Sequence, residues 1–340
     1  MRGRDMSAQT SHYESDALPT ETVDVVVIGG GAAGLNGALM LARSRRSVVV
    51  IDSGTPRNAP AAAMHGFIVL DGTPPSGILE RGRRQVREYG GRIVFGQVAT
   101  AEPTAPSADG DLRFTVTLTG GRTLTARRVL VATGLRDVLP EVPGLAGHWG
   151  RSVVHCPYCH GWEVRDEPIG ILATGPASVH HVWLFRQLTD DLVYFTRGTG
   201  LDSETRARFA ARDIRIIETD VKEVVNDDEG ALAGVRLADG TFAGRRILAV
   251  ATRMQARTEG LEGLKLPMED LPDNMGRRIA SATAGTTETP GVWVAGNATD
   301  LTAQVGASAA AGALAGSHIN AVLAAADTDA ALAAVRKTTG

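Results

Sequence analysis

Apolar and polar positions divide the beginning of the chain into strand, turn, helix and strand. Residues 22–52 read TVDVVVIGGGAAGLNGALMLARSRRSVVVID. A run of β-branched apolar residues predicts a buried strand, and the pattern after the glycine-rich turn predicts a helix through Leu41. A second apolar strand then ends at Asp52. This order predicts a parallel βαβ unit and therefore an α/β protein.

The same order recurs in the middle of the chain. Residues 167–198, EPIGILATGPASVHHVWLFRQLTDDLVYFTRG, predict a second strand, turn and helix. Residues 214–252 alternate apolar and polar positions around turn signals, as expected for a small sheet. Beyond these two βαβ halves, no repeat with a period of roughly 20–50 residues is visible. At 340 residues the chain is long enough for two domains with separate cores.

The composition narrows the possible partners. The chain carries 35 Lys and Arg against 38 Asp and Glu, a net charge of −3, and contains no long run of one sign. This gives nucleic acid no electrostatic footprint and favours a small or neutral partner. The 40 glycines and the low aromatic content suit an α/β protein with many tight turns.

The distribution of apolar residues predicts a cytoplasmic protein without a membrane segment. The first 21 residues are polar and show no apolar core of signal-peptide type. No stretch reaches the roughly 18 uninterrupted apolar residues of a membrane helix. The small residues from Ala307 to Gly316 are instead expected to allow close packing, and the residues from Ala324 onward are expected to fray.

The turn after the first strand carries a dinucleotide-binding pattern, Gly29-x-Gly31-x-x-Gly34. The first glycine permits the sharp turn, the second lets the backbone approach a pyrophosphate, and the third permits close packing of helix on strand. Asp52, at the end of the next strand, is placed to bind a ribose hydroxyl. Because the pattern lies between two strands and the acidic residue is correctly spaced, it favours a bound nucleotide over an empty turn.

The chain contains two cysteines, both in HCPYCHGWE at residues 155–163. The sequence Cys156-x-x-Cys159-His160 is compatible with a c-type haem anchor, half of a zinc site or a redox-active disulfide. The lack of an export signal disfavours the haem anchor, and the lack of a second cysteine pair disfavours a closed zinc site, so no metal is expected. Pro157 can begin a helical turn, which would bring both sulfurs to one face near a dipole that favours thiolate.

Two further segments extend the pattern. Residues 122–144 contain a strand that ends in Ala-Thr-Gly, and residues 291–323 predict a strand, a polar loop and a helix of small residues. Both resemble flavin-contacting segments of the low-molecular-weight pyridine-nucleotide-disulfide oxidoreductases of thioredoxin reductase type. The resemblance spans about residues 23–323, includes the cysteine pair and implies that the nucleotide is FAD. The flavin contacts that it implies in these segments are Thr133, Gly134, Gln304 and Asn297, the last standing where the family commonly has aspartate.

The resemblance also implies an α/β fold of two Rossmann-like, doubly wound domains, the second inserted in the first. The implied divisions of the chain are a flexible N-terminal tail (1–21), the first part of the FAD-binding domain (22–146), an inserted NAD(P)-binding-like domain with the CxxC (150–280), the second part of the FAD-binding domain (283–326) and a C-terminal tail (327–340).

The inserted domain departs from the family at its own turn. Residues 173–178 read ATGPAS, so that Gly175 alone remains of the expected glycines. Where an arginine cluster would bind the 2′-phosphate of NADPH, the sequence FTRG offers only Arg197. Weak NADPH binding is therefore expected. The alternative is a variant turn that still binds a nicotinamide cofactor.

The residue after the second cysteine is another departure, because thioredoxin reductases usually carry an acidic residue there. CPYCHG resembles the dithiol oxidases that close the disulfides of natural products such as gliotoxin and holomycin. The segments DSGTPRNA from Asp52 and MHGFIVLDG from Met64 resemble the same branch. They imply that Arg57, Asn58 and His65 lie near the flavin.

These residues together predict the chemistry. By resemblance, Cys156 meets the substrate and Cys159 faces the flavin. His160 is suited to act as a base for the incoming thiol, with an inert histidine on the helix surface as the alternative. The expected function is that of an FAD-dependent dithiol oxidase, which forms a disulfide in a small-molecule dithiol and passes electrons to O2, giving hydrogen peroxide. An NADPH-dependent disulfide reductase and a non-catalytic flavin redox sensor or dithiol binder are the alternatives. We also expect a homodimer and one fixed domain orientation, with the cysteine pair at the flavin.

Overall fold

Strands and helices alternate along the chain in the computed structural model, which describes residues 15–107 and 110–339. The strands are β1 (Val23–Ile28), β2 (Val48–Asp52), β3 (Arg92–Phe95), β4 (Val98–Thr104), β5 (Arg113–Leu118), β6 (Thr123–Val131), β7 (Leu135–Val138), β8 (Val153–Val154), β9 (Ile169–Leu172), β10 (Leu192–Phe195), β11 (Arg215–Ile217), β12 (Val221–Asn226), β13 (Leu232–Leu237), β14 (Phe242–Gly244), β15 (Ile247–Val250), β16 (Arg253–Ala256), β17 (Met268–Leu271), β18 (Gly276–Ile279) and β19 (Val292–Val294). The α-helices are α1 (Ala32–Arg43), α2 (Pro75–Glu88), α3 (Pro157–His160), α4 (Ala177–Phe185), α5 (Ser203–Ala210) and α6 (Val305–Thr339).

The first sheet has the strand order β3-β2-β1-β6-β5-β4, and β19 pairs with the second half of β6. β6 has room for two neighbours on one side, because its first half pairs antiparallel with β5 and its second half pairs parallel with β19. β1 and β2 are buried almost throughout. Their continuous apolar runs are typical of parallel strands covered on both faces.

The second sheet is parallel, with the strand order β11-β10-β9-β15-β8. Residues 214–252 do not form one small sheet as predicted. β11 and β15 join the parallel sheet, and β12, β13 and β14 form a separate antiparallel sheet. The chain then returns to the first sheet at β19, so that the fold has two Rossmann-like domains with the second inserted in the first.

The chain passes between the two sheets twice, through β7 and β16. These two strands pair antiparallel along their whole length, from Arg253 opposite Val138 to Ala256 opposite Leu135. β16 also pairs with β18, and β18 with β17, which completes a four-stranded sheet. The two passages are therefore hydrogen-bonded to each other rather than separate linkers.

Part of the predicted N-terminal tail is fixed to the first domain. Residues 1–14 lie outside the described residues. Asp16 accepts hydrogen bonds from the Arg87 side chain at 2.9 Å and from the backbone N–H of Ile93 at 2.7 Å. Leu18 packs against the core. The described part of the segment predicted to be flexible, at 1–21, is thus attached to the first domain by an ion pair and a partly buried leucine.

The predicted C-terminal tail at 327–340 is helical as far as it is described. α6 continues without a break to Thr339, which the alanine-rich sequence favours. Asp327 accepts hydrogen bonds from Arg46 and from Arg127, both at 2.6 Å. These bonds attach the helix to the first domain beyond the point where fraying was expected.

The first half of α6 packs closely against α1. Ala315, Ile319 and Leu323 are fully buried there, in agreement with the packing predicted for the small residues of this run. Within the described chain, α6 is also the one helix long and apolar enough, by length and composition, to cross a membrane. Core helices pass the same test, so this is weak evidence for a membrane span.

Gly316 marks a close approach of α6 to α1, and its substitution tests the packing. A Cβ at this position would lie 2.5 Å from the backbone oxygen of Gly37. Gly316→Ala should therefore lower the free energy of unfolding by about 1–3 kcal/mol, the usual cost of overpacking. Urea unfolding followed by circular dichroism measures the change.

The matched control is Gly77→Ala in α2, where the nearest atom to a new Cβ would be 3.8 Å away. Alanine should raise stability there by about 0.5–1 kcal/mol, because glycine is the poorer helix former. Equal effects of the two substitutions would contradict the close contact between α1 and α6.

Candidate active site

The glycine-rich turn between β1 and α1 has the geometry that its sequence predicts. Gly29 adopts a φ of +109°, and a Cβ there would lie 2.6 Å from the carbonyl carbon of Ala132. A Cβ on Gly34 would lie 3.0 Å from the carbonyl carbon of Gly29 and 3.2 Å from Cγ1 of Val27. The sharp turn and the packing of helix on strand therefore require glycine at both positions.

Gly31 is different, because no protein atom lies within 4 Å of a Cβ built on it. It is the N-cap residue of α1, and no side chain caps this end of the helix. The free N–H groups of the first turn and the helix dipole favour a phosphate at such a position. The space that a side chain would fill is therefore available to a nucleotide.

Asp52 lies at the edge of the same space, at the end of β2. Its buried carboxylate accepts hydrogen bonds from the N–H of Gly54 at 3.1 Å and from Arg83 at 3.4 Å. A Cβ on Gly30 would lie 2.6 Å from Cγ of Asp52, so the turn rests directly on this side chain. The binding of a ribose hydroxyl by Asp52 stays a prediction.

One cavity of about 1260 Å³ connects the glycine-rich turn with the cysteine pair. Both Rossmann-like domains and the loop before α6 contribute to its wall. The predicted site residues on this wall are Gly29, Gly31, Asp52, Arg57, Asn58, His65, Thr133, Gly134, Cys156, Cys159, His160, Asn297 and Gln304. Gly34 does not line the cavity, because it packs beneath the turn.

Cys156 and Cys159 form a disulfide on the wall that the second domain provides, with their Cα atoms 5.2 Å apart. Cys156 is the N-cap of α3, and its carbonyl accepts the N–H groups of Cys159 and His160, each at 3.2 Å. Both cysteines are half-buried. α3 begins at Pro157, as predicted, but it is a single turn. A helix of one turn is too short to stabilise a thiolate through its dipole as the sequence predicted.

His160 ends α3 and lines the cavity next to the disulfide. Neither ring nitrogen has a hydrogen-bond partner among the described residues. Burial lowers the pKa of His160, the Glu163 carboxylate acts in the opposite direction, and His65 lowers the pKa further. His160 is therefore an imidazole with a lowered pKa and two buried, unpartnered ring nitrogens, directly after Cys159 in the chain.

His65 connects the loop after β2 with the segment after α3. Its Nε2 lies 3.4 Å from Oε1 of Glu163, and its Nδ1 lies 3.3 Å from Oδ2 of Asp71. Asp71 also accepts the N–H of Gly66 at 2.8 Å, and these hydrogen bonds lower the pKa of Asp71. His65 therefore lies on the cavity wall with both ring nitrogens near carboxylates.

Arg57, expected near the flavin, lies on the cavity wall as half of an ion pair. Its Nε and Nη2 each donate to Asp137 at 2.7 Å. Burial by itself would raise the pKa of Asp137, but the hydrogen bonds and charge of Arg57 outweigh it, so the pKa of Asp137 is lowered. A bidentate pair of this kind is strong and fixed in geometry.

The two segments that resemble flavin-contacting segments are held by side-chain hydrogen bonds. The amide nitrogen of Asn297 donates to the carbonyls of Asp300 at 2.9 Å and Ala303 at 2.8 Å. An aspartate could not donate these bonds, which gives a physical reason for asparagine here. Thr133 donates to the carbonyl of Arg257 at 2.7 Å.

Sequence reasoning assigned no role to Asp137, Thr252 or His155. Nδ1 of His155 lies 3.0 Å from the carbonyl oxygen of Val250, and its ring packs edge-on against His181 at 5.2 Å. Burial lowers the pKa of both histidines, that of His181 to about 3. No spacing or periodicity marks these residues, because their partners come from elements far apart in the sequence.

The corresponding turn of the second domain is closed by its own side chains. The N–H of Thr174 donates to the hydroxyl of Ser178 at 2.9 Å, and the Thr174 hydroxyl donates to the carbonyl of Ala251 at 2.6 Å. Arg197, the one arginine found where the family has a cluster for the 2′-phosphate, donates to the carbonyl of Ala173 at 2.9 Å. Two groups that could meet a nucleotide phosphate here, the Thr174 N–H and one N–H of Arg197, are thus bonded to the protein.

Comparisons with known proteins agree with this fold. A family model described as pyridine nucleotide-disulphide oxidoreductase matches residues 23–316. The protein "Thioredoxin reductase tcpT" of Claviceps purpurea is 34% identical over 251 residues, which cover 71% of this chain and 77% of that protein. "Thioredoxin reductase aclD" of Aspergillus oryzae is 29% identical over 284 residues, covering 81% of this chain and 88% of the relative.

Solved structures with the same fold are also similar to this chain. The crystal structure of HlmI is 44% identical and superposes with a TM-score of 0.87, covering 95% of this chain and 99% of HlmI. An oxidoreductase from Agrobacterium tumefaciens is 32% identical, with a TM-score of 0.82 and coverage of 89% of this chain and 99% of that one.

The family match extends over both Rossmann-like domains and the disulfide on the cavity wall. Relatives of thioredoxin reductase type typically bind FAD, and the open space at Gly31 beside the N-terminus of α1 fits that cofactor. The chain therefore belongs to the pyridine nucleotide-disulphide oxidoreductase family and is a thiol/disulfide oxidoreductase of the thioredoxin reductase-like type.

Proposed function

We propose that this protein is an FAD-dependent dithiol oxidase, which forms an intramolecular disulfide in a small natural-product dithiol with O2 as the electron acceptor. One observation carries the proposal: the Cys156–Cys159 disulfide and the glycine-rich turn line the same cavity. A small dithiol that enters this cavity can react with the disulfide without a rotation of the two domains. We further propose that the enzyme acts in the cytoplasm as a homodimer.

The cysteine pair performs the exchange in two steps. A substrate thiolate attacks Sγ of Cys156, which breaks the bond to Cys159 and forms a mixed disulfide, and Cys159 leaves as a thiolate. The second substrate thiol, as thiolate, then attacks the substrate sulfur of the mixed disulfide, which breaks the bond to Cys156, releases Cys156 as a thiolate and gives the product disulfide. Two electrons and two protons have then passed from the substrate to the enzyme. The choice of Cys156 as the residue attacked rests on the family resemblance.

His160 is the proposed base for the incoming thiol. Its ring nitrogens are buried, have no partner among the described residues and belong to a side chain on the cavity wall. Since burial lowers its pKa, the ring is neutral near pH 7 and can accept the proton of a substrate thiol. The adjacent Cys159 thiolate is then the next group to which this proton can move.

When bound, FAD accepts the two electrons of the reduced cysteine pair and passes them to O2, which yields hydrogen peroxide. The first-domain turn and the loops around the cavity provide the proposed binding residues. They are Gly29, Gly31, Asp52, Arg57, Asn58, His65, Thr133, Gly134, Asn297 and Gln304, and Gly34 contributes by supporting the turn from beneath.

The second-domain turn supports O2 rather than NADPH as the redox partner. A nucleotide phosphate needs free backbone N–H groups and a cation. The N–H of Thr174 is bonded to Ser178, Pro176 has no N–H, and Arg197 is bonded to the carbonyl of Ala173. These bonds favour weak NADPH binding, and no step of the proposed reaction uses NADPH.

An NADPH-dependent disulfide reductase is the second candidate, because the curated relatives carry the name thioredoxin reductase. It would use the same cysteine pair with electrons flowing in the opposite direction. The closed turn at residues 173–178 argues against it. A flavin redox sensor or dithiol binder would share the site and differ only in lacking turnover.

The direct test compares two electron donors. The purified yellow protein is mixed without oxygen with a small dithiol and, separately, with NADPH, and the flavin absorbance is recorded. The dithiol should bleach the flavin, and NADPH should not. Air should then restore the colour and release hydrogen peroxide over repeated turnovers. Cys156→Ser should keep the flavin spectrum and lose bleaching by the dithiol.

Two other outcomes of this experiment would favour the disulfide reductase or the flavin sensor. Rapid bleaching by NADPH would identify a disulfide reductase and would overturn the argument from the closed turn. A flavin that the dithiol bleaches once, without repeated peroxide release in air, would indicate a sensor or binder.

His160 predicts how the reaction with the dithiol depends on pH. Because its pKa lies below the ordinary value of 6.5, the ring stays neutral at pH values where an exposed histidine is largely protonated. A substrate thiol with a pKa of about 8.5 needs this base near pH 6.5 but ionises by itself above about pH 9. His160→Gln should therefore slow anaerobic bleaching by about 100-fold at about pH 6.5 and by much less at about pH 9.5.

His318→Gln on α6 is the matched control. The ring of His318 accepts a hydrogen bond from Trp293, and the side-chain carbonyl of glutamine can accept the same bond. The bleaching rates of His318→Gln should therefore match those of the unmodified protein at both pH values. An equal loss for His160→Gln at both pH values would show that His160 acts through the structure and not as a base.

A further inference from the structure

The Asp137 carboxylate lies at the junction of the two domains, and its side chain is only 3% exposed. It accepts both bonds of the bidentate pair with Arg57 and a third bond, at 2.6 Å, from the hydroxyl of Thr252. We call these three residues the Asp137 junction. A buried carboxylate requires such partners, because each unpaired oxygen would carry a desolvation penalty.

Each member of the Asp137 junction belongs to a different segment of the chain. Arg57 lies on the loop after β2, which lines the cavity of the first domain. Asp137 lies on β7, the first passage between the sheets, and Thr252 directly precedes β16, the second passage. One carboxylate therefore joins the cavity loop to both connections between the domains.

The Asp137 junction continues to the cysteine pair through His155. The N–H and the hydroxyl of Thr252 lie 3.3 Å and 3.4 Å from Nδ1 of His155. The same nitrogen lies 3.0 Å from the carbonyl of Val250. His155 immediately precedes Cys156, so its ring fixes the backbone from which the disulfide begins.

We propose that Asp137 is a positioning residue, whose bonds to Arg57 and Thr252 hold the second domain in the orientation that keeps the cysteine pair on the cavity of the first domain. β7 is the edge strand of the four-stranded sheet and is joined to that sheet through β16, so strand pairing alone leaves β7 free to twist relative to the other strands. The Asp137 junction opposes this motion because it also binds the loop after β2. This inference concerns domain orientation and stands whether the electron acceptor is O2 or NADPH.

Thr252→Val tests the inference with little change of shape. It removes the hydroxyl bond to Asp137, whereas Thr252→Ser keeps it. In the flavin-loaded protein, hydrogen–deuterium exchange is measured at residues 135–138, 253–256 and 153–160. Thr252→Val should raise local exchange there by about tenfold and leave β1 unchanged, and Thr252→Ser should exchange like the unmodified protein.

Asp137→Asn is the stronger variant, because it also removes the charge that pairs with Arg57. It should raise exchange in the same three segments by more than Thr252→Val does. It should also increase the rate at which iodoacetamide alkylates the anaerobically reduced cysteines. Glu269→Gln is the matched control, because it removes the carboxylate of an exposed ion pair with Arg278 in the same small sheet.

Two results would overturn the inference. Exchange that stays unchanged in both Thr252→Val and Asp137→Asn would show that these bonds do not hold the domains. Exchange that rises equally in β1 would show a contribution to global stability without a role in positioning. Neither result depends on turnover, so the tests of the dithiol oxidase and of the Asp137 junction can fail separately.

Discussion

The antiparallel pairing of β7 with β16 is the constraint on which the site depends. Each Rossmann-like sheet is a separate hydrogen-bonded unit, and the chain passes between them only through these two strands in the part that the structure describes. The glycine-rich turn belongs to one unit and the cysteine pair to the other. The glycine-rich turn and the cysteine pair therefore line one cavity because the paired strands β7 and β16 bring the two sheets together.

Burial of histidine defines the chemistry available at this cavity. His155 and His160 line the cavity, and desolvation is the largest cause of the lowered pKa of each. His181, whose pKa is lowered to about 3 for the same reason, packs against His155. Neutral rings on the cavity wall add no positive charge beside the disulfide.

The two Rossmann-like domains also show how a shared fold can differ in what it binds. Both contain a strand, a turn and a helix in the same order. At Gly31 the turn leaves open space beside an uncapped helix N-terminus. In the second turn Gly175, the counterpart of Gly31, also leaves space, but Pro176 lacks an N–H, the N–H of Thr174 is bonded to Ser178, and Arg197 bonds to Ala173. The physical difference is whether the polar groups of the turn are already satisfied within the protein.

The sequence by itself determined the local units and the reactive groups. Apolar runs and glycine positions specify the βαβ order, because they reflect faces and turns that neighbouring residues create, and the spacing of Cys156 and Cys159 fixes that their sulfurs can meet. The sequence could not determine that α6 continues to Thr339 or that Arg57 binds Asp137. The tertiary structure alone decided these, since Arg57 and Asp137 are 80 residues apart and Asp137 and Thr252 are 115 apart. Such contacts arise from the packing of whole elements, for which no local pattern of residues is required.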